Sequence, residues 1–170
     1  MSVTEHKQEA PNVVRCKIIT VSDTRTKETD KSGKLIKDLL EEKSFVTAAY
    51  EIVTDEETQI RRAVEQGLNH PEVDAVLLSG GTGIAKRDIT IETVTKMFDK
   101  EITGFGELFR MLSYTEDIGS AAIMSRASAG VKNGTAVFAM PGSSGAVKLA
   151  MNKLILPELA HVVREIKKDL

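Results

Sequence analysis

The chain is poor in the residues from which many sites are built: 170 residues include one cysteine and three histidines. A single cysteine forms no internal disulfide, so a reducing compartment is the simpler reading. Cys16, inside the apolar run from Cys16 to Val21, reads as a buried structural thiol rather than a nucleophile. His6, His70 and His161 are scattered, with no second cysteine or spaced carboxylate beside them, so a zinc site of His and Cys is not expected and all three read as surface residues. No stretch approaches the ~20 apolar residues of a membrane span, and Met1 to Pro11 has no apolar export segment. A soluble, cytoplasmic protein without a membrane partner is expected. Neither charge sign dominates, since 23 Lys and Arg face 25 Asp and Glu; a net charge of -2 supplies no field for a polyanion, and nucleic acid is not an expected partner.

What is present is an ordinary globular composition, 41% hydrophobic and 28% charged, at a length that suits one domain. No internal repeat or low-complexity linker divides the chain. The boundaries predicted are a flexible polar arm over 1–13 and a single domain over 14–170.

Cys16 to Val21 is predicted as the first strand, and Leu35, Ile36, Leu39 and Leu40 as the apolar stripe of a helix capped by Asp30 or Ser32. Val46 to Val53 reads as a second strand. Ile60, Ala63, Val64, Gly67 and Leu68 fall on one helical face, preceded by Thr54-Asp55-Glu56-Glu57, which fits a capping box. Val73 to Leu78 is a third strand, short and mostly apolar. Helices are predicted from Thr90 to Phe98 and from Phe105 to Leu112, and Asn133-Gly134 predicts a tight hairpin into a strand from Thr135 to Met140. Terminal helices interrupted at Pro157 complete the order. Alternating strands and helices predict an α/β fold of three layers: a mostly parallel sheet with one antiparallel hairpin strand and helices on both faces.

In such sheets ligands bind outside the carboxyl ends of the strands, where loops and helix N-termini converge. Four loops qualify: Ser22 to Arg25, Thr54-Asp55, Ser79 to Asp88, and Pro141 to Gly145. In Gly80-Gly81-Thr82-Gly83 the glycines permit close backbone approach and the Thr82 hydroxyl offers a donor, so the turn can cradle an oxyanion; it can equally be a tight βα turn. The spacing fits neither a Walker A loop nor a dinucleotide fingerprint. Asp55 and Asp88 are the candidate catalytic carboxylates and candidate Mg²⁺ ligands. Each also has a plain reading, Asp55 beside a helix dipole and Asp88 as a cap for the helix near Thr90. Ser22 and Asp23 border the same crevice or form an ordinary turn, and Lys86 and Arg87 bind phosphate or solvate the loop. Arg110 and Arg126 contact an anionic substrate or lie on a solvated face.

Thr20 to Arg25, Ser79 to Gly83 with Arg87-Asp88, Glu101 with Gly104 to Arg110, Leu112-Ser113, Ser125-Arg126 and Met140-Pro141-Gly142, in this order, resemble the MoaB/MogA molybdopterin-binding family over about Val14 to Leu159. The resemblance implies a role in molybdenum cofactor biosynthesis, with Mg²⁺ and ATP as cofactor and co-substrate and molybdopterin as substrate. Active relatives adenylylate molybdopterin and release pyrophosphate. By position it makes Asp55 and Asp88 the catalytic aspartates, Ser113 and Ser125 pterin contacts, and Ser22, Asp23, Gly80 to Gly83, Arg87, Pro141, Gly142 and Ser143 the substrate and nucleotide loops. It also implies a homo-oligomer, a trimer or dimer of trimers, and contact with other proteins of the pathway. The chain departs from MogA-type relatives at Ser143-Ser144, where those often carry Pro-Lys. A pterin-binding scaffold without catalysis is the alternative; a nucleotide pyrophosphohydrolase and an NAD dehydrogenase fit the residues less well.

Overall fold

The computed structural model describes residues 2–170. Six strands, β1 (Arg15–Val21), β2 (Val46–Val53), β3 (Ala75–Ser79), β4 (Lys100–Glu101), β5 (Ser128–Lys132) and β6 (Thr135–Met140), form one sheet in the order β2-β1-β3-β6-β5-β4. β2, β1, β3 and β6 run parallel. β5 is antiparallel to both of its neighbours, β6 and the two-residue edge strand β4. The hairpin is the expected one: Asn133 (φ 49°) and Gly134 (φ 72°) both occupy the left-handed region that a type I′ turn requires.

Alternate residues of the central strands face opposite layers, which is why these strands read as continuous apolar runs. Ile18, Leu77, Phe138 and Met140 point to one core with Ile36, Leu40, Phe109, Val147 and Leu159. Ile19, Leu78, Val137 and Ala139 point to the other with Ile60, Val64 and Val94. The first core is covered by α2 (Lys31–Glu42), α5 (Thr103–Glu116), α6 (Ser144–Ala150) and α7 (Leu156–Lys167), the second by α3 (Glu57–Leu68) and α4 (Thr90–Thr95). Cys16 is fully buried, and burial, followed by the nearby Asp74 carboxylate, pushes its thiol pKa up. It is the structural thiol expected.

Several local expectations change. The Thr54–Glu57 capping box does not form: α3 starts at Glu57 after Glu56, which makes no side-chain cap. The Asp55 amide is instead drawn to Asp23 Oδ1 at 2.9 Å, so a tertiary contact decides the helix entry. The apolar stripe around Pro157 is continuous through one π turn, Met151–Ile155, which leads α6 into α7 ahead of a proline that has no N–H to donate.

Within the polar arm, α1 (Val3–Gln8) forms with a reciprocal Ser2–Glu5 capping box. It is tied to α7 by Lys7–Glu158, Arg164–Glu9 and His6 Nδ1–Glu165 at 3.1 Å. His6 and His161 are therefore not open surface residues; their rings meet edge to face, with centroids 5.9 Å apart. With Glu165 they bring three ligand-type atoms within 4.8 Å of one another, a grouping the linear spacing hides. The Glu165 carboxylate, however, already accepts from Arg164 (2.7 Å) and Lys168 (2.8 Å).

Asp30 is the N-cap of α2 and accepts from the Gly33 amide at 3.0 Å. It is buried and also accepts from the hydroxyls of Ser32 and Tyr50, while Ser32 Oγ lies 3.2 Å from Ser79 Oγ at the end of β3. Burial acts to raise the Asp30 pKa, but the surrounding donors outweigh it and hold the carboxyl below its usual value. A depressed carboxylate stabilises the fold above its unfolded-state pKa and loses that contribution as pH falls through the folded-state value. Asp30→Ala is expected to cost about 1–3 kcal/mol in urea unfolding at neutral pH, from the lost cap and the orphaned Tyr50 hydroxyl. The gap to the parent should narrow in acid.

Candidate functional site

The parallel strands deliver the four nominated loops to one edge of the sheet. Two glycines bring the backbones into contact there. Gly80 has φ 95°, and a Cβ on it would lie 2.3 Å from the Val21 carbonyl oxygen at the end of β1. A Cβ on Gly142, after β6, would sit 3.2 Å from Gly80 Cα. The Gly80 amide donates to the Met140 carbonyl at 3.1 Å, which extends the β3–β6 pairing into the loop. Only glycine fits such an approach at positive φ.

The turn beyond it is held from α4. Thr90 donates its amide to the Gly81 carbonyl and its hydroxyl to the Gly80 carbonyl, both at 2.9 Å. Those bonds tie down carbonyls only. Among the described residues, the amides of Gly81, Thr82, Gly83 and Ile84 donate to no protein acceptor. Four consecutive amide donors are thus left without a protein acceptor. The Thr82 side chain itself is buried.

Two carboxylates flank the turn. Asp55 Oδ1 lies against Gly81, 3.0 Å from where a Cβ would be, and Asp88 Oδ2 lies 2.6 Å from the corresponding point on Gly83. Asp88 does not cap α4, whose first flanking residue is Ile89; it accepts from the Ala85 amide at 3.1 Å and closes the loop on itself. Asp23 joins the group through its bond to the Asp55 amide, and Ser22 Oγ accepts from the Thr24 and Arg25 amides at 3.2 and 3.1 Å. The Asp55 pKa is raised, first by burial, then by the Asp23 charge; Arg87 opposes the shift and Asp88 adds to it. Three carboxylates thus gather at the loop, a set of oxygen donors of the kind a hard divalent cation takes.

The other nominated residues are placed less uniformly. Ser143 caps α6, its Oγ accepting from the Ala146 amide at 3.2 Å, so this hydroxyl is engaged in helix structure. Ser125 is half-buried at the exit of the 3₁₀ turn Gly119–Met124. Ser113 is buried on α5, one turn before Asp117, whose carboxylate approaches Gly145 in the first turn of α6. Arg126 is not aimed outward as the sequence suggested. It grips the glycine loop and Glu92, and it holds the Glu92 pKa below the usual carboxylate value. Its loop targets are main-chain carbonyls, which leave no residue-type signature, and Thr90 was missed for the same reason; Glu92 and the link from Ser32 to Ser79 were missed because their side-chain partners are remote in sequence.

Residues 17–161 match the model of a family described as a probable molybdopterin binding domain. Over 169 residues the chain is 72% identical to molybdenum cofactor biosynthesis protein B of Bacillus subtilis (strain 168), covering 99% of each chain. A crystal structure of a molybdenum cofactor biosynthesis protein B matches with a TM-score of 0.92 at 59% identity, over 94% of this chain and 99% of that one. The crystal structure of the tungsten cofactor synthesizing protein MoaB from Pyrococcus furiosus matches with a TM-score of 0.83 at 37% identity, over 93% and 99%.

The raised Asp55 pKa makes a stability prediction. A carboxyl with a raised folded-state pKa contributes stability that is complete below its unfolded-state pKa and is lost as pH rises through the folded-state value. Asp55→Asn, which cannot ionise, should therefore melt at a higher temperature than the parent at neutral pH, with the difference vanishing toward the acid end of the carboxylate range. Calorimetry across pH checks it, and a lower melting temperature for the variant at neutral pH would contradict a raised Asp55 pKa.

Proposed function

The chain belongs to the family of probable molybdopterin binding domains, and from that premise we propose that it binds molybdopterin and adenylylates it with Mg-ATP. In the reaction a terminal phosphate oxygen of molybdopterin forms a bond to the α-phosphorus of ATP. The bond from that phosphorus to the bridging oxygen of the β-phosphate breaks, and pyrophosphate leaves with the electron pair. The products are adenylyl-molybdopterin and pyrophosphate.

The observation that carries this reading is the run of four acceptor-free amides, Gly81 to Ile84, between the Asp55 and Asp88 carboxylates. Fixed amide donors match phosphate oxygens and stabilise charge that develops on them, at no cost in reorganisation. Asp55 and Asp88 would hold Mg²⁺, which supplies neutralisation of phosphate charge when bound. Arg87 adds an exposed cation at the mouth of the loop, and Ser22 and Asp23 shape its floor. Pro141 and Gly142 close the far side against Gly80. Ser113 and Ser125 are the proposed pterin contacts, approached from α5 and the 3₁₀ turn. Positioning of two phosphates is the main catalytic contribution, and little acid–base chemistry is required of the protein.

The alternative of a non-catalytic pterin-binding scaffold is favoured by one observation, the use of the Ser143 hydroxyl as a helix cap where a phosphate contact was expected. The two readings separate on one assay. Purified protein given molybdopterin and Mg-ATP should release pyrophosphate and form the adenylylated pterin, and Asp88→Ala should lower the rate by about 100-fold or more while pterin binding persists. Pterin binding without turnover in the parent would leave the scaffold reading. Absence of pterin binding would remove both.

We also propose a homo-oligomer, a trimer or dimer of trimers. Leu108, Met111, Tyr114, Ile118, Ile123 and Met124 expose apolar side chains on α5 and the turn after it, a larger apolar surface than single scattered residues make. Light scattering should return the mass of three or six chains. A monomer at micromolar concentration would refute it.

A further inference from the structure

The guanidinium of Arg126 hydrogen-bonds to three carbonyls of the glycine loop, and we propose that Arg126 is a positioning residue that sets the direction of the anion-binding amides. The inference rests on the phosphate reading of the loop given above.

Arg126 lies outside the loop, between the 3₁₀ turn and β5, and is separated from its targets by about forty residues of chain. Its Nε donates to the Thr82 carbonyl at 2.9 Å. Its Nη2 donates to the Gly83 carbonyl at 2.7 Å and reaches the Asp88 carbonyl at 3.3 Å. Nη1 and Nη2 also meet the two carboxylate oxygens of Glu92 on α4, which orient the fork from behind and balance its charge. Every nitrogen of the guanidinium is thus engaged by protein, and its side chain is only 29% exposed. A residue so occupied holds the loop rather than reaching for substrate.

The consequence follows from the peptide unit. In a trans peptide the carbonyl and the N–H of the next residue point in opposite directions. Fixing the Thr82 and Gly83 carbonyls toward Arg126 therefore turns the Gly83 and Ile84 N–H groups away from it, and these two are among the four amides without a protein acceptor. Three glycines give the loop little preference of its own for any peptide orientation. The planar fork of arginine supplies what the loop lacks, two or more directed donors from one rigid group, and a lysine ammonium at the same place is a point charge that cannot do the same. Anchoring the Arg126–Glu92 pair on a support outside the loop holds the amides in place before a ligand arrives, which is how preorganised sites avoid the cost of ordering.

The test is titration of the full-length ¹⁵N-labelled protein with inorganic pyrophosphate in the presence of Mg²⁺, followed through the amide resonances of Gly81 to Ile84, for the parent, Arg126→Lys and Glu92→Gln. In the parent these resonances should move with pyrophosphate. Arg126→Lys should shift the Gly83 and Ile84 resonances before any ligand is added and weaken pyrophosphate binding roughly tenfold or more. Glu92→Gln, which keeps the fork and loses its counter-charge, should weaken binding by a smaller factor, about threefold. A variant that melts at a lower temperature yet binds pyrophosphate as tightly as the parent would show a role confined to stability and would overturn the proposal. If Arg126→Lys does not fold, unchanged affinity in Glu92→Gln overturns it. If the parent amides ignore pyrophosphate, the phosphate reading falls and takes this inference with it; if the parent responds and both variants match it, only the positioning role falls.

Discussion

The contact between Gly80 and the carbonyl of Val21 sets the terms for everything at the carboxyl edge of the sheet. A side chain at Gly80 would collide with the end of β1, and its φ of 95° excludes most other residues in any case. Because the chain can turn there, β3 ends in the centre of the sheet with the four amides after Gly80 freed from strand pairing. Gly142 then packs on Gly80 from the β6 side. Asp55 reaches Gly81 from the β2 side, so three strand ends meet around one turn.

Around that turn the protein uses two kinds of support. From below, buried hydroxyls and a carboxylate join β2, α2 and the last residue of β3. From the side, Arg126 and Thr90 take up the loop carbonyls. Both leave the amides alone. Asp23, Asp55 and Asp88 gather beside those amides, and the Asp55 pKa is raised first by burial and then by the Asp23 charge. For the proposed function, amide donors beside carboxylates suit a phosphate brought together with a divalent cation better than a lone phosphate.

Much of the fold was legible in the residues because it rests on periodicity. Cys16 to Val21 and Thr135 to Met140 are apolar on both faces, and the Ile60 to Leu68 stripe has one face; each became the element it reads as. Asn133-Gly134 specified its turn by backbone chemistry alone. The parts that were not legible depend on partners remote in sequence. Thr54 and Glu57 fit a capping box, but a bond from Asp55 to Asp23, on another loop, claims the segment. α1 is fixed by α7, about 150 residues away. At the site, the glycines and aspartates were nominated because their residue types carry the chemistry proposed. Arg126 read as an anion ligand or a solvated surface residue; its loop partners are carbonyls, which every residue has.

The chain of polar groups from Tyr50 through Asp30 and Ser32 to Ser79 runs from the outermost strand, β2, to the residue just before Gly80. Hydrogen bonds in such a row are mutually exclusive in direction: a hydroxyl that donates one way must accept from the other. The Asp30 carboxylate accepts from Tyr50 on one oxygen and from Ser32 on the other. With its single proton given to Asp30, the Ser32 hydroxyl can only accept from Ser79, so one buried carboxylate fixes the direction of the hydroxyl that lies just before the glycine turn.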